Sequence, residues 1–234
     1  MNLQKYDTNA LHEKYKFATP YPHIVIDNFL EPDYIQTILT EIQGYNTMLD
    51  DMQTREPDYI VQSKKIGLSD TTRMGTIVRS FLEKTQSSDM IQFLEKITGI
   101  QDLLSDPSFF GGGIHRTTKG GRLAIHADFN VHPYTQTYRR VNALLYLNDW
   151  KPSDKGELEL WRQDMKQCVQ SIPPIMNRLV IFNITDTAFH GHPIPWESET
   201  PRFSIALYYY TQDRPEEEKS APHMALWQKR THEY

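Results

Sequence analysis

Residues 122–129 read Arg-Leu-Ala-Ile-His-Ala-Asp-Phe, an apolar and polar alternation that is typical of a β-strand with one face turned inward. Because residues i and i+2 of a strand point to the same face, His126 and Asp128 can converge on one ion. An imidazole nitrogen together with a carboxylate oxygen suits Fe(II), Mn or Zn. Taken alone, a His-x-Asp triplet is a weak signal, and a third ligand has to come from elsewhere in the chain.

Short β-type runs continue on both sides of this segment, separated by Gly, Pro, Asn and Asp. They lie near residues 109–116, 122–129, 139–148, 157–162, 167–172, 178–183, 188–192 and 202–211. Eight runs at this spacing predict a double-stranded β-helix, that is, a jelly roll.

The sequence before residue 108 has a different texture, with helical periodicity in residues 32–42, 72–84 and 88–98 and one strand near residues 23–29. We predict an α+β protein with a mainly β core, in which residues 1–234 form a single domain. Residues 1–107 form an N-terminal helical support with an edge strand, residues 108–211 form the double-stranded β-helix, and residues 212–234 form a surface tail or short helix packed by Met224 and Trp227. The connection 44–63, with Met48, Met52, Arg55 and Tyr59, is interpreted either as a rim over the barrel mouth or as a plain exposed loop.

Composition limits the chemistry and the partners. A net charge of −5 without any block of Lys or Arg argues against a nucleic-acid partner or an anionic membrane surface. The single cysteine, Cys168, forms neither an internal disulfide nor a thiolate zinc cluster, which favours a reducing compartment such as the cytoplasm. Since the chain has nine histidines beside that cysteine, any metal site must use imidazole and carboxylate ligands.

Two histidines, His190 and His192, are candidates for the third ligand. Only one of them needs to bind, and the other is either a neighbour of the metal or a turn histidine that hydrogen-bonds nearby backbone. Downstream, Arg202 and Ser204 share one face of an alternating strand. A buried arginine needs an anion, so an inward Arg202 predicts an acidic ligand, whereas an outward Arg202 is an ordinary strand-edge charge.

The order His126-x-Asp128, His190, Arg202-x-Ser204 resembles the 2-oxoglutarate and Fe(II)-dependent oxygenases, and in particular their prolyl 4-hydroxylase-like branch. The segments 140–150, 156–161 and 177–182 add local matches, and the resemblance covers residues 109–211 together with the opening stretch 22–29. It implies that His126, Asp128 and His190 are the Fe(II) ligands and catalytic residues. It also implies that Arg202, with Ser204 and Tyr146, binds the distal carboxylate of 2-oxoglutarate. Where relatives carry a tyrosine near the other end of the cosubstrate, this chain has His115 or Arg116, and His115 is the candidate.

The activity implied by the resemblance is hydroxylation of an unactivated C–H bond with O2, while 2-oxoglutarate is converted to succinate and CO2. Desaturation and ring formation remain open, as does ascorbate as a reductant. The substrate is an amino-acid-type group, either a prolyl or other residue in a peptide or protein, or a free amino acid or small metabolite. Two other classes compete with this interpretation: a cupin-like Zn or Mn protein that uses no 2-oxoglutarate, and a non-catalytic sensor domain that binds 2-oxoglutarate. The sequence leaves the oligomeric state open.

Overall fold

The computed structural model describes residues 1–55 and 60–228, with the side chains of the third helix described as far as Gln53. In this part of the chain the α-helices are α1 (Thr8–Lys16), α2 (Pro32–Gln43), α3 (Asn46–Arg55), α4 (Thr76–Thr85) and α5 (Ser88–Thr98). The strands are β1 (His23–Ile26), β2 (Gln62–Leu68), β3 (Leu104–Ser105), β4 (Gly113–Ala127), β5 (Tyr138–Tyr146), β6 (Leu158–Trp161), β7 (Cys168–Ile172), β8 (Leu179–Asn183), β9 (His190–His192), β10 (Arg202–Thr211) and β11 (Leu226–Trp227).

The strands form one curled antiparallel sheet whose two halves share strand β4. The first half has the order β1-β8-β5-β10-β4, and the second half continues as β4-β9-β6-β7. Strands β2 and β11 pair with β4 as well, and β3 pairs with the end of β10. This strand order is that of a double-stranded β-helix, so the predicted fold is confirmed. The predicted strands 109–116 and 122–129 are continuous and together make β4.

Strand β4 changes its partner halfway along its length. Its first half pairs with β10 through residues 113–117, and its second half pairs with β9 through Leu123 and His126. Gly120 lies between the halves with φ of +79°, a conformation that glycine adopts without steric strain. The strand therefore delivers side chains from both halves of the sheet to one cavity.

Helices α2, α4 and α5 cover the outer face of the first half of the sheet. Because side chains alternate between the faces of a strand, one set of β5 and β10 residues meets these helices and the other set faces inward. The buried residues of this interface include Ile38, Ile42, Phe81, Leu94, Val141, Leu145, Phe203 and Ile205. Apolar burial, at about 25 cal/mol per Å², thus stabilises the sheet from outside and leaves its inner face for polar groups.

Helical periodicity located two of these helices closely. Helix α2 begins with Pro32 in its first turn, and α5 runs over the predicted residues 88–98 and ends at Gly99, which has φ of +75°. The predicted helix 72–84 begins later, at Thr76, because residues 71–73 form a 3-10 turn. Within the described residues the longest helix has 12 residues, well short of the roughly 20 that a membrane-spanning helix requires.

Two segments that the sequence did not resolve into elements contribute ordered structure. The connection 44–63 holds helix α3 and the start of β2, while Tyr59 and the side chain of Arg55 lie outside the described residues. In the predicted tail, Met224 is exposed and residues 226–227 form strand β11 against β4 instead of a short helix. Residues 229–234 of that tail lie outside the described residues.

Asn177 joins the N-terminal support to the β core. Its side-chain oxygen accepts a hydrogen bond from the Leu30 N–H at 2.8 Å, and its Nδ2 donates to the Leu30 carbonyl at 2.7 Å. The Asn177 carbonyl also accepts from the Phe29 N–H. Asn177 is buried and has φ of +64°, which asparagine tolerates better than most residues. One amide thus fixes the start of α2 relative to β8.

We expect Asn177→Ala to lower the free energy of unfolding by about 2–4 kcal/mol, because it leaves two buried backbone groups of Leu30 unsatisfied at a position with positive φ. Urea unfolding followed by circular dichroism measures the change. Gln36→Ala on the exposed side of α2 is the control and should stay within about 0.5 kcal/mol of wild type. Equal stability of the two variants would contradict the assigned role of Asn177.

Candidate metal centre and its cavity

Three side chains from two paired strands converge at one end of the β-helix. His126 lies near the end of β4, Asp128 follows that strand, and His190 begins β9 directly opposite His126. The Asp128 carboxylate lies 3.4 Å from His126 Nε2 through one oxygen and 3.4 Å from His190 Nε2 through the other. One ligand atom from each residue lies within 4.8 Å of the other two, which is a spacing that fits a single metal ion. His190, and not His192, is the histidine that the fold brings to this group.

Backbone carbonyls orient both imidazoles. His126 Nδ1 lies 2.8 Å from the Ala124 carbonyl, and His190 Nδ1 lies 2.9 Å from the Ala188 carbonyl. Because a carbonyl oxygen only accepts hydrogen bonds, each Nδ1 donates to its carbonyl and Nε2 is the nitrogen that faces the Asp128 carboxylate. This ring orientation is the one that metal-binding histidines use.

Two residues of β5 hold Asp128 in place. Arg139 lies 3.0 Å from Asp128 Oδ2, and Asn142 Nδ2 donates to the same oxygen at 2.8 Å. Burial alone would raise the pKa of the Asp128 carboxyl, but the Arg139 guanidinium and the two imidazoles hold that pKa well below its usual range. The carboxylate is therefore ionised and oriented.

Arg139 is a site residue that sequence reasoning missed. Its guanidinium stacks 3.4 Å from the centre of the Tyr208 ring and 4.6 Å from that of Phe129, and its Nε donates to Asn142 Oδ1. A β-bulge in the pairing of β5 with β10 lies next to it, between Tyr209 and Tyr210. The bulge breaks strict alternation, so Arg139 faces the same cavity as Asn142 although the two residues are three positions apart.

The metal-binding group forms one wall of a cavity of about 220 Å³ inside the β-helix. Its lining comes from β2, β4, β5, β6, β9, β10, β11 and adjoining loops. The polar and aromatic members are Gln62, Lys65, His115, His126, Asp128, Phe129, Arg139, Asn142, Tyr146, His190, His192, Arg202, Ser204, Tyr208 and Trp227. Leu123, Leu144 and Leu158 add apolar surface. Asp128 is the sole carboxylate among the described lining residues, so the rest of this cavity is suited to an anion.

Arg202 points inward, which resolves the alternative that the sequence left open. It is 4 % exposed, its Nε donates to the Gly156 carbonyl at 3.1 Å, and its guanidinium lies 5.0 Å from the centre of the Tyr146 ring. Burial raises the pKa of Tyr146 and Arg202 opposes that rise. Gly156 has φ of +69°, and a Cβ there would lie 2.8 Å from the Trp196 ring, so a larger residue does not fit beneath Arg202.

Three neighbouring strands place a row of polar side chains beside Arg202. Ser204 of β10 pairs with Tyr146 of β5 on one side and with His115 of β4 on the other. All three residues line the cavity. The fold thus brings Tyr146, Ser204 and His115 together along one wall of the cavity. Arg116, the alternative to His115, does not line the cavity and forms an ion pair with Asp50.

His192 does not behave as a turn histidine that hydrogen-bonds the backbone, so that alternative is wrong. It belongs to strand β9, is 3 % exposed and lines the cavity. Neither ring nitrogen has a hydrogen-bond partner among the described residues. Burial, together with the charges of Arg202 and Lys65, lowers the pKa of His192 well below its usual range. A neutral imidazole with free donor and acceptor atoms therefore faces the cavity.

Lys65 is a second residue that sequence reasoning missed. It comes from β2, lines the cavity, and forms no ion pair with a carboxylate in residues 1–55 or 60–228. Burial and the nearby Arg202 lower the pKa of the Lys65 ammonium to about 8, while Asp128 opposes this change. We predicted no strand around Lys65, whereas β2 spans Gln62–Leu68 and carries Lys65 to the cavity.

The C-terminal segment closes part of the cavity mouth. Trp227 on β11 pairs with His126, and the two ring centres are 4.8 Å apart. Trp227 is 40 % exposed, so one side of its ring covers the metal-binding group and the other faces outward. Upstream, Asn130 anchors the segment by donating to Ser220 Oγ at 2.8 Å and accepting from the His223 N–H at 2.9 Å.

The donor set fits a divalent metal ion of the iron type. Two imidazole nitrogens and one carboxylate oxygen on one side of an ion leave its other coordination positions open toward the cavity, as in non-haem Fe(II) oxygenases. Two observations on the chain support the fit: carbonyl contacts at Nδ1 turn both Nε2 atoms toward Asp128, and a hydrogen bond from Asn142 fixes that carboxylate from behind.

Comparison with known proteins agrees with this geometry. The sequence model of the 2OG-Fe(II) oxygenase superfamily matches residues 112–210. The mouse (Mus musculus) protein prolyl 3-hydroxylase OGFOD1 is 26 % identical over 208 residues, which cover 82 % of this chain and 33 % of the mouse protein. This chain thus spans about a third of the length of that relative.

Solved structures share the fold. A Trichoplax adhaerens prolyl hydroxylase, in complex with a hypoxia inducible factor oxygen degradation domain peptide fragment, superposes with a TM-score of 0.59 at 18 % identity, over 90 % of this chain and 93 % of that one. HygX from Streptomyces hygroscopicus, with nickel, 2-oxoglutarate and hygromycin B bound, has a TM-score of 0.59 at 12 % identity, over 92 % and 96 % of the two chains.

We expect Arg139→Met to weaken divalent-metal binding by about 10- to 100-fold, because the variant removes the charge that keeps Asp128 ionised and oriented. Titration of the metal-free protein with Mn(II), followed by calorimetry, measures the dissociation constant. Arg162→Met, at an exposed arginine outside the cavity, is the control and should bind Mn(II) as wild type does. Unchanged binding in Arg139→Met would show that Asp128 needs no such support.

Lys65 gives a prediction for the dependence of stability on pH. Its native pKa of about 8 lies below the ordinary value of 10.5, so the unfolded chain binds more protons between these values and stability rises with pH there. We expect Lys65→Met to be more stable than wild type at pH 7 by about 1–3 kcal/mol, with the difference shrinking between pH 8 and 10. Urea unfolding across this pH range measures the difference. A constant difference would contradict the assignment, and exposed Lys64→Met should show no trend.

Proposed function

We propose that this chain, a prolyl 4-hydroxylase-like dioxygenase whose residues 112–210 match the 2OG-Fe(II) oxygenase superfamily, hydroxylates an unactivated C–H bond of a prolyl residue in a peptide or protein. The reaction consumes O2 and 2-oxoglutarate and releases succinate and CO2. The observation that carries this proposal is the cavity itself, which has a His-Asp-His group at one end and the buried, inward Arg202 at the other. A dianion such as 2-oxoglutarate can bind a metal ion at the His-Asp-His group with one end and the Arg202 guanidinium with the other.

His126, Asp128 and His190 would hold Fe(II), and 2-oxoglutarate would lie between that ion and Arg202. When bound, the iron would let O2 act as the oxidant, with 2-oxoglutarate giving two electrons on its conversion to succinate and CO2 and the substrate C–H bond giving the other two. The chain supplies binding and orientation. Arg202 would pair with the distal carboxylate, while Tyr146 and Ser204 offer hydroxyl groups in the same row.

The residues around this space also exclude water. Leu144 and Leu158 line the cavity with apolar surface, and the Trp227 ring shields the outer side of His126. Exclusion of water strengthens every electrostatic interaction inside the site and limits side reactions. His115 Nε2 donates a hydrogen bond to the Gly111 carbonyl at 3.0 Å, so its ring would present Nδ1 and its ring edge, and no free charge, to the cosubstrate.

A prolyl residue is the preferred substrate because the mouse relative is named a prolyl 3-hydroxylase and because the Trichoplax protein is a prolyl hydroxylase with a peptide bound. HygX, whose structure contains hygromycin B, keeps a small metabolite as the second candidate. We further propose a cytoplasmic enzyme, kept active by ascorbate as a reductant, with neither nucleic acid nor membrane as a partner. The lone Cys168 and the net charge of −5 support the compartment and the partners, respectively.

The main prediction concerns turnover without added substrate. We expect wild type with Fe(II) and 2-oxoglutarate to form succinate slowly, and we expect His126→Ala and Asp128→Ala to lose at least about 100-fold of that rate, because each variant removes a metal ligand. Mass spectrometry of succinate measures the rate. Arg162→Met is the matched surface control. Full turnover in both ligand variants would sink the proposed function.

Thermal shift separates the competing classes. 2-Oxoglutarate should raise the melting temperature of the metal-loaded wild type but not that of Arg202→Ala. If the protein were a Zn or Mn cupin, 2-oxoglutarate would stabilise neither of the two. A sensor domain would be stabilised and yet form no succinate. For the substrate, incubation of the enzyme with fractionated peptide and metabolite extracts should yield a peptide that gains one oxygen atom at proline; a gain confined to a small metabolite would favour the second candidate.

A further inference from the structure

The second cation of the cavity, Lys65, lies at the same level as Arg202. Thr117 of β4 pairs with Lys65 of β2 on one side and with Arg202 of β10 on the other. The two long side chains therefore start from positions that flank one β4 residue, and both line the same cavity. The Arg202 charge contributes to the lowered pKa of Lys65, so the two groups lie within electrostatic reach.

The alternation of β10 fixes which end of the cavity this is. Tyr208 pairs with Asn142, the residue that donates to Asp128, so this part of β10 lies beside the metal-binding group. Residues 206, 204 and 202 then follow on the same face, each about 7 Å further along the strand. Arg202 and Lys65 thus lie at the end of the cavity that is farthest from Asp128.

No carboxylate lines this distal end among the described residues, and Glu157, which acts on Arg202, lies outside the lining. Arg202 donates one hydrogen bond to the Gly156 carbonyl, and Lys65 has no carboxylate partner in residues 1–55 and 60–228. On the opposite wall, the buried His192 ring has two nitrogens without partners in the same part of the chain. Burying two cations without an anion is costly, so this arrangement is expected only where a ligand brings the negative charge.

We propose that Lys65 is a second carboxylate-binding residue, which together with Arg202 clamps the distal carboxylate of 2-oxoglutarate, and that His192 donates a further hydrogen bond to it. This inference rests on the proposed function. It assigns a role to a residue of β2, outside the residues 112–210 that match the superfamily. A carboxylate has two oxygens with several acceptor positions, so it can satisfy an ammonium and a guanidinium at the same time.

The consequence is selectivity for dicarboxylic 2-oxoacids. A ligand with only the 1-carboxylate and ketone would leave Lys65 and Arg202 unpaired, while 2-oxoglutarate neutralises both. Lys65 thus determines how strongly the cavity discriminates between 2-oxoglutarate and a monocarboxylic analogue such as 2-oxobutyrate.

Binding to the full chain loaded with Mn(II) tests this without turnover. Calorimetry with 2-oxoglutarate should show affinity about tenfold or more weaker in Lys65→Met than in wild type, since one charge-assisted hydrogen bond is lost. Lys65→Arg should stay within about threefold, because it keeps the charge. The matched control is Lys64→Met, the exposed neighbour, which should bind as wild type does. The affinity for 2-oxobutyrate should be the same in wild type and Lys65→Met.

The outcomes separate this inference from the proposed function. If Mn(II)-loaded wild type binds no 2-oxoglutarate, the proposed function fails and the inference fails with it. If wild type binds 2-oxoglutarate and Lys65→Met binds it equally well, only the inference is overturned. The same holds if Lys65→Met keeps its affinity for 2-oxoglutarate but binds the substrate more weakly. An equal loss for 2-oxobutyrate in Lys65→Met would overturn it too, because Lys65 would then support the fold or the metal group. A loss for 2-oxoglutarate alone, rescued by Lys65→Arg, supports it.

Discussion

Strand β4 runs for 15 residues and hydrogen-bonds along both of its edges, to β10 and β9 on one side and to β2 and β11 on the other. A strand that belongs to both halves of a curled sheet fixes their relative position. His115 near its start and His126 near its end thereby face one enclosed space. The distance between the metal-binding group and the distal cations is thus set by backbone hydrogen bonds, which change far less readily than loop conformations.

The same strand recruits two segments that are remote in sequence. Strand β2 brings Lys65 and β11 brings Trp227, and both reach the cavity only because β4 offers a free edge. A paired edge also lacks the exposed N–H and C=O groups that promote aggregation. The pairing of β2 and β11 with β4 therefore both completes the cavity and covers the edge of the sheet.

Local patterns predicted what local geometry controls. Two-residue alternation was enough to place Arg202 with Ser204 on an inward face, because this segment of β10 pairs regularly with β4. It also placed His126 beside Asp128, although Asp128 follows the end of β4. Arg139 escaped prediction because a bulge changes the face that it occupies. Lys65 and Trp227 escaped because their place depends on pairing with β4 across long sequence separations, which no window of sequence contains. The choice of His190 over His192 likewise follows from the register of β9 against β4, since both residues share one face.

Electrostatics explains why these residues tolerate one another. Around Asp128 the charges balance, because the Arg139 guanidinium compensates the carboxylate; the imidazoles of His126 and His190 complete the group. At the distal end they do not balance, because Arg202 and Lys65 face the cavity without an acid. Such an imbalance lowers the stability of the empty protein, and packing of the helices on the outer face has to compensate for it. The apolar layer outside the sheet and the charged cavity inside it are thus energetically linked, and a negative group at the distal end would relieve the imbalance.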